Sequence, residues 1–156
     1  VVKKVISGAQ CGADIAGLRA ARRLGLETGG WMPLGWKTLD GPKPGYRSLY
    51  GLKETTSDRY PKRTEMNVRD SDATIRFAAN WRSPGELCTL RMLRKHERPY
   101  FDFELEHPTK ERLEAQVVAA RAWLQEHQVQ TLNVAGNAHV SLEPLVEQLL
   151  VAILGA

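Results

Sequence analysis

Cysteine is nearly absent from this 156-residue sequence: only Cys11 and Cys88 occur, with no pair at CxxC spacing. That excludes a disulfide scaffold or a structural zinc and implies free thiols in a reducing compartment. Histidine is as sparse. His96, His107, His127 and His139 stand far apart, none with a ligand-spaced neighbour, so no metal held by protein side chains is expected. No apolar run is long enough to cross a bilayer and no charged-then-apolar leader opens the chain, so a membrane partner is not expected and the expected location is cytoplasmic. Charge of one sign is modest too, at net +4, with small basic groups at Arg22-Arg23 and at Arg91, Arg94, Lys95 and Arg98. On helices such groups are solvated faces, and nucleic acid, which needs them gathered on one side, is not an expected partner. The length suits one domain with a core, expected over residues 1–156.

What is present is an alternation of strand and helix patterns. Lys3–Ser7 reads as a buried strand, and Asp14–Leu24 as a helix with Ile15, Leu18, Ala21 and Leu24 on one stripe, stopped by Gly25. A short strand is expected near Thr28–Trp31. From Pro33 to Asp58 periodicity is lost among Gly, Pro and Tyr; a loop of that length usually belongs to a site or is disordered, and the two tryptophans and two tyrosines from Trp31 to Tyr50 favour the site. Arg59–Arg69 reads as a helix, Ala73–Ala78 as a strand, Glu86–His96 as a helix, "RPYFDFEL" as a strand, Thr109–His127 as a helix, "TLNVAGN" as a strand and Ser141–Leu154 as a helix. Apolar strands separated by helices imply parallel strands joined by crossovers. The expected fold is therefore α/β: a single Rossmann-like domain with a mostly parallel five-stranded sheet and helices on both faces.

Such a sheet binds ligands beyond the carboxyl ends of its strands, where strand order reverses. Three turns rich in small residues should open there: Gly8-Ala9-Gln10-Cys11-Gly12, Asn80–Gly85 with Arg82 and Ser83, and Ala135-Gly136-Asn137. Glycine lets backbone approach a ligand, and a helix start offers unpaired N–H groups and a positive dipole end, so a phosphorylated small molecule is the expected occupant. "GAQCG" is neither a dinucleotide fingerprint nor a Walker A loop, so neither class can be claimed. Asp14 is expected to cap the first helix, or to bond a ligand hydroxyl. Cys11 fills a small-residue position more readily than it serves as a nucleophile, because no histidine follows it as partner. Trp31, Trp36 and Trp81 lie in or beside the expected pocket loops and could stack on a purine or pterin, and Arg82 could clamp a phosphate.

These residues carry a resemblance. The segments "ISGAQCGADIAGLRAA", "GLETGGWMPLG", "DGPKPGYRSLYGLKETTSDRYPKRTEMNVRDSDATI" and "TLNVAGN" resemble the molybdenum carrier (molybdenum cofactor carrier-like) family. More distantly the chain is similar to the Rossmann-like superfamily that includes the lonely-guy phosphoribohydrolases. The stretch Tyr60 to Thr74 is the most specific part. The resemblance implies a pocket built from the first glycine loop, the Gly29-Gly30-Trp31 turn and the turn after "ATIRFA". It also implies a molybdenum cofactor or nucleotide as ligand, a homo-oligomer, and a polar cluster of Arg63, Glu65 and Asn67 that pairs with the long loop or faces the pocket. Against the family pattern, Ala9 and Cys11 replace a glycine and a threonine, Glu86 stands where a threonine would fall, and Met66 replaces a tryptophan. The expected function is a binding or carrier protein for a phosphorylated pterin or nucleotide-like anion, with no catalytic residue assigned. The alternatives are a phosphoribohydrolase-like enzyme acting on a nucleoside monophosphate, which lacks most of its Pro-Gly-Gly-x-Gly-Thr-x-x-Glu motif here, or a ligand-free interaction subunit.

Overall fold

In a computed structural model, which describes residues 1–155, the chain forms one six-stranded sheet in which every neighbouring pair is parallel. The strands are β1 (Lys4–Ile6), β2 (Glu27–Met32), β3 (Leu52–Glu54), β4 (Ala73–Ala78), β5 (Tyr100–Glu104) and β6 (Thr131–Gly136). Their order is β3-β2-β1-β6-β4-β5, so the last strand lies in the middle, between β1 and β4. The helices are α1 (Ala13–Arg23), α2 (Tyr46–Tyr50), α3 (Tyr60–Arg69), α4 (Pro84–Lys95), α5 (Lys110–Glu126) and α6 (Glu143–Leu154), the last preceded by a 3₁₀ turn at Val140–Leu142. Among the described residues no helix is long and apolar enough to cross a membrane.

The five-stranded expectation is corrected by β3. It lies inside the segment read as a loop, together with the one-turn α2. Both are too short to show a period, and the stretch before them is broken by Gly and Pro. Leu52 is buried all the same, and it packs with Ile15, Leu18, Met32 and Tyr50 in a small second core against which Trp36 and Tyr46 rest. The remaining expected elements are found with ends shifted by one or two residues.

The two faces of the sheet differ. Ala73, Ile75 and Phe77 of β4, with Leu132 and Val134 of β6, point into the main core beneath α1, α5 and α6, where Ala16, Ala20, Leu124, Val146 and Leu150 meet them. The alternate residues Thr74, Arg76 and Asn133 are just as buried but polar. They face α3 and α4. Buried polar side chains need partners. Asn133 Nδ2 donates to Thr74 Oγ1 at 3.1 Å, and Arg76 forms a bidentate pair with Asp102 at 2.7 and 2.8 Å. The guanidinium of Arg76 lies 5.0 Å from the Trp81 ring and 5.4 Å from the Tyr100 ring, and its Nη1 donates to the Glu86 carbonyl at 3.0 Å. A buried cation in β4 thus fixes the first turn of α4.

Candidate functional site

Above the carboxyl ends of β1, β6 and β4 lies a cleft of about 610 Å³. Its floor is Asn133 to Gly136, and its walls are Gly8, Gln10 and Asp14 on one side and Tyr60, Arg63, Thr64 and Asn67 of α3 on another. The start of α4 (Ser83 to Glu86, then Cys88 and Thr89) closes a third side, and Asn137 to His139 and Leu39 border the mouth. The volume falls in the range of small-molecule sites.

The N–H donors of Ala9 to Ala13 in the loop after β1 are taken up by the protein's own acceptors. Ala9 N–H donates to Ser7 Oγ (3.1 Å), Gln10 N–H to Asp14 Oδ2 (3.4 Å), Cys11 N–H to Gln10 Oε1 (3.0 Å) and Ala13 N–H to the Asn137 carbonyl (3.1 Å). Gly12 N–H, at the start of α1, donates to Glu143 Oε2 at 2.9 Å. A carboxylate of the protein itself therefore sits where a helix dipole would otherwise attract a phosphate. Gly12 has φ +88°, and a Cβ there would come within 2.2 Å of the Asn137 carbonyl oxygen, so this glycine serves the close approach of two turns. Ala9 occupies the left-handed region at φ +56°. That costs an L-residue about 1–2 kcal/mol, partly offset by its methyl group, which is buried in the second core. Gln10 Oε1 also accepts Leu39 N–H at 2.8 Å, which fastens the long loop to the cleft rim.

Asp14 does not cap α1. The N-cap is Gly12, without a side-chain bond, and Asp14 instead faces the cleft. Burial pushes its carboxyl up to about 6, against the opposing pull of Arg63 and the Gln10 N–H. Arg63 is 8% exposed. Its Nη1 donates to the Gly8 carbonyl at 2.9 Å and lies 3.9 Å from Asp14 Oδ2. It is the one arginine or lysine lining the cleft among the described residues.

Opposite Asp14 stands Glu86, 3% exposed. Ser83, the N-cap of α4, accepts the Glu86 N–H, and both Ser83 Oγ (3.3 Å) and Asn137 Nδ2 (3.2 Å) donate to Glu86 Oε2. Burial first, then the charge of Asp14, pushes the Glu86 carboxyl up. The start of α4, like that of α1, is occupied by a carboxyl group of the protein. Asn137 further joins the turns: its Oδ1 accepts Ala79 and Asn80 N–H, and its Nδ2 also donates to the Asn80 carbonyl.

Of the residues singled out in the sequence, Gly8, Gln10, Asp14, Arg63, Asn67, Ser83, Gly85, Gly136 and Asn137 line the cleft. Ala9, Cys11 and Gly12 lie behind its wall in the same loop. Gly29, Gly30 and Trp31 belong to β2, where Trp31 exchanges backbone bonds with the Asn67 amide and its Nε1 donates to Asp70 at 2.8 Å. Trp36 packs on the second core, Trp81 covers Arg76 and donates to Glu104, and Arg82 is exposed outside the cleft. Glu65 is also away from the cleft. It meets Lys95 Nζ at 2.6 Å and His96 Nε2 at 2.9 Å on α4 and its end, and those donors hold its carboxyl down to about 2. Glu65 follows Thr64 of the wall by one residue, about 100° around α3, and so points to the neighbouring helix. The aromatic ring that does line the cleft is Tyr60, with Lys37 Nζ 5.1 Å and Arg63 5.0 Å from its centre. Asn133, His139, Cys88 and Thr89 were not singled out for the site. For Asn133 a signal existed, since a polar residue within the apolar strand "TLNVAG" needs a reason.

Residues 5–156 match the sequence model of the circularly permutated YpsA SLOG family. The fold is similar to the crystal structure of a protein from Syntrophus aciditrophicus SB titled "Putative molybdenum carrier protein", at a TM-score of 0.83 and 31% identity, over 98% of this chain and 92% of that one. Among curated proteins none matches.

Proposed function

The chain belongs to the circularly permutated YpsA SLOG family, and from that premise we propose that it is a binding or carrier protein whose single domain takes a phosphorylated pterin or nucleotide-like ligand into the cleft. The observation that carries this reading is the cleft itself: about 610 Å³ at the carboxyl ends of the central strands, with the buried Arg63, the buried Glu86 and the part-buried Asp14 converging on it. That combination of an apolar enclosure and a few polar groups suits a heterocyclic small molecule. Arg63 has guanidinium nitrogens beyond the one spent on Gly8 and supplies the positive charge for an anionic group. Molybdenum, where carried, would arrive as cargo on its pterin.

A hydrolytic reading of the same cleft has one observation in its favour, a carboxyl held near 6 beside a second raised carboxyl, which suits acid–base work close to neutral pH. Calorimetric titration with AMP, ADP-ribose and the pterin cofactor, with mass and metal analysis of gently purified protein, tests the binding reading. Saturable binding that Gly8→Leu abolishes is the expected result, because a side chain at Gly8 meets Arg63 Nη1 at 2.2 Å. No binding of any of the three at millimolar concentration would overturn it. Free base released from a nucleoside monophosphate would move the protein to the enzyme reading.

A further inference from the structure

Glu86 is buried at the mouth of a helix start that the fold otherwise prepares for an anion, and its carboxyl is only half satisfied. Oε2 takes the Ser83 hydroxyl and the Asn137 amide, while Oε1 makes no hydrogen bond among the described residues. Asp14, part-buried on the facing wall, is likewise half satisfied: Oδ2 accepts the Gln10 N–H and lies near Arg63, and Oδ1 has no hydrogen-bond partner among the described residues. Both residues line the cleft. Two acceptor oxygens, one from each side, are thus left over, and neither is sealed from the cleft's solvent, so each is open to a donor from a ligand. The Gly12 N–H at the start of α1 is spent on Glu143, and the start of α4 carries Glu86. A phosphate at either would meet a carboxyl already there.

We propose that Asp14 and Glu86 form a donor-reading pair that sets ligand specificity: the ligand enters with two neighbouring N–H or O–H donors directed at the free oxygens, and its anionic group is left to Arg63. This inference rests on the nucleotide or pterin reading above. The shared chemistry is an uncharged edge with adjacent donors, and two parts of such ligands present it, an amino-pyrimidine ring edge and a ribose diol. Glu86 is then the residue that turns a phosphate-ready helix start into a reader of donors.

The test is titration of GMP, inosine monophosphate, 2′,3′-dideoxy-GMP and inorganic phosphate into the wild-type protein, Glu86→Gln, Asp14→Asn and Glu86→Thr, each checked for folding by circular dichroism. GMP affinity should fall at least tenfold in both Glu86→Gln and Asp14→Asn, because an amide replaces an acceptor by a donor on one side. In the wild type one partner-deficient ligand should bind at least tenfold more weakly than GMP. Inosine monophosphate in that role assigns the pair to the ring edge, and the dideoxy compound assigns it to the diol. Glu86→Thr should gain inorganic phosphate binding that the wild type lacks. GMP bound by the wild type and by both amide variants within twofold would overturn the inference and leave the binding reading standing. No ligand bound by the wild type would overturn both.

Discussion

Asp14 ties the acidity of the cleft to the stability of the chain. Its carboxyl ordinarily titrates near 3.8 and in the fold near 6, because burial outweighs Arg63. The folded chain holds this proton more tightly than the unfolded one. The stabilisation from Asp14 is therefore complete below pH 4 and lost as pH rises through about 6, a change of about 3 kcal/mol in size. Asp14→Asn removes that dependence. Thermal melts should show the variant more stable than the wild type at pH 7.5 and equal to it near pH 4. A gap that stays constant between pH 4.5 and 8 would rule the account out. Glu65 works in the opposite direction: Lys95 and His96 hold its carboxyl near 2, so its contribution is present above the ordinary value of 4.5 and lost as pH falls toward 2. Comparing variant with wild type at each pH cancels that second effect.

At the scale of elements, the first helix is anchored by the last. Glu143 opens α6 and reaches across to the start of α1, taking the Gly12 N–H at 2.9 Å and Arg19 Nη1 at 2.7 Å. The pair is part-buried on the Glu143 side, 14% exposed, and half-open on the Arg19 side. Glu143→Ala leaves a helix-start donor unpaired where water has little access, and should cost about 2 kcal/mol in chemical denaturation. A loss below about 0.5 kcal/mol would mean that the bond contributes only as an exposed ion pair does. The α4 start is held differently, by Arg76 from beneath, with Asp102 and two aromatic rings keeping the cation in place. The starts of α1 and α4 are thus each fixed by a charged side chain from another element, Glu143 of α6 and Arg76 of β4.

Across the whole molecule the sheet is centred on strands from opposite ends of the chain. β6 pairs with β1 on one side and β4 on the other, while β3 and β5 form the edges. Central strands covered on both faces open only with global unfolding. Native-state hydrogen exchange should find Leu132 and Val134 of β6 among the slowest amides, with those of β3 at least a hundredfold faster. Comparable protection of β3 and β6 would contradict this order of stability. The cleft stands on the central strands and is rimmed by an irregular segment, Pro33 to Gly45, which Gln10 fastens through Leu39.

The succession of elements was legible in the sequence because apolar periodicity is a local property. Ile15, Leu18 and Ala21 mark α1, and the run Ala73 to Ala78 marks β4, without help from the rest of the chain. β3 was not legible, since three residues show no period and Leu52 becomes a core residue only by meeting Ile15 and Met32. The position of the cleft also followed from sequence, through the small-residue turns after three strands and the placement of ligands at the carboxyl edge of a parallel sheet. What filled those turns did not. Whether a helix start is open to an anion depends on which distant side chain arrives there, and Glu143 reaches Gly12 from 131 residues away. The tryptophans looked fit for stacking because aromatic rings near a loop say nothing of their direction, and here Trp81 covers Arg76 and Trp31 meets Asp70. Sequence determined every strand but β3, every helix but the short α2, and the edge of the sheet at which the cleft opens. Tertiary structure alone decided the chemistry of that edge, because charge and burial at Asp14, Arg63 and Glu86 come from residues brought together by the fold.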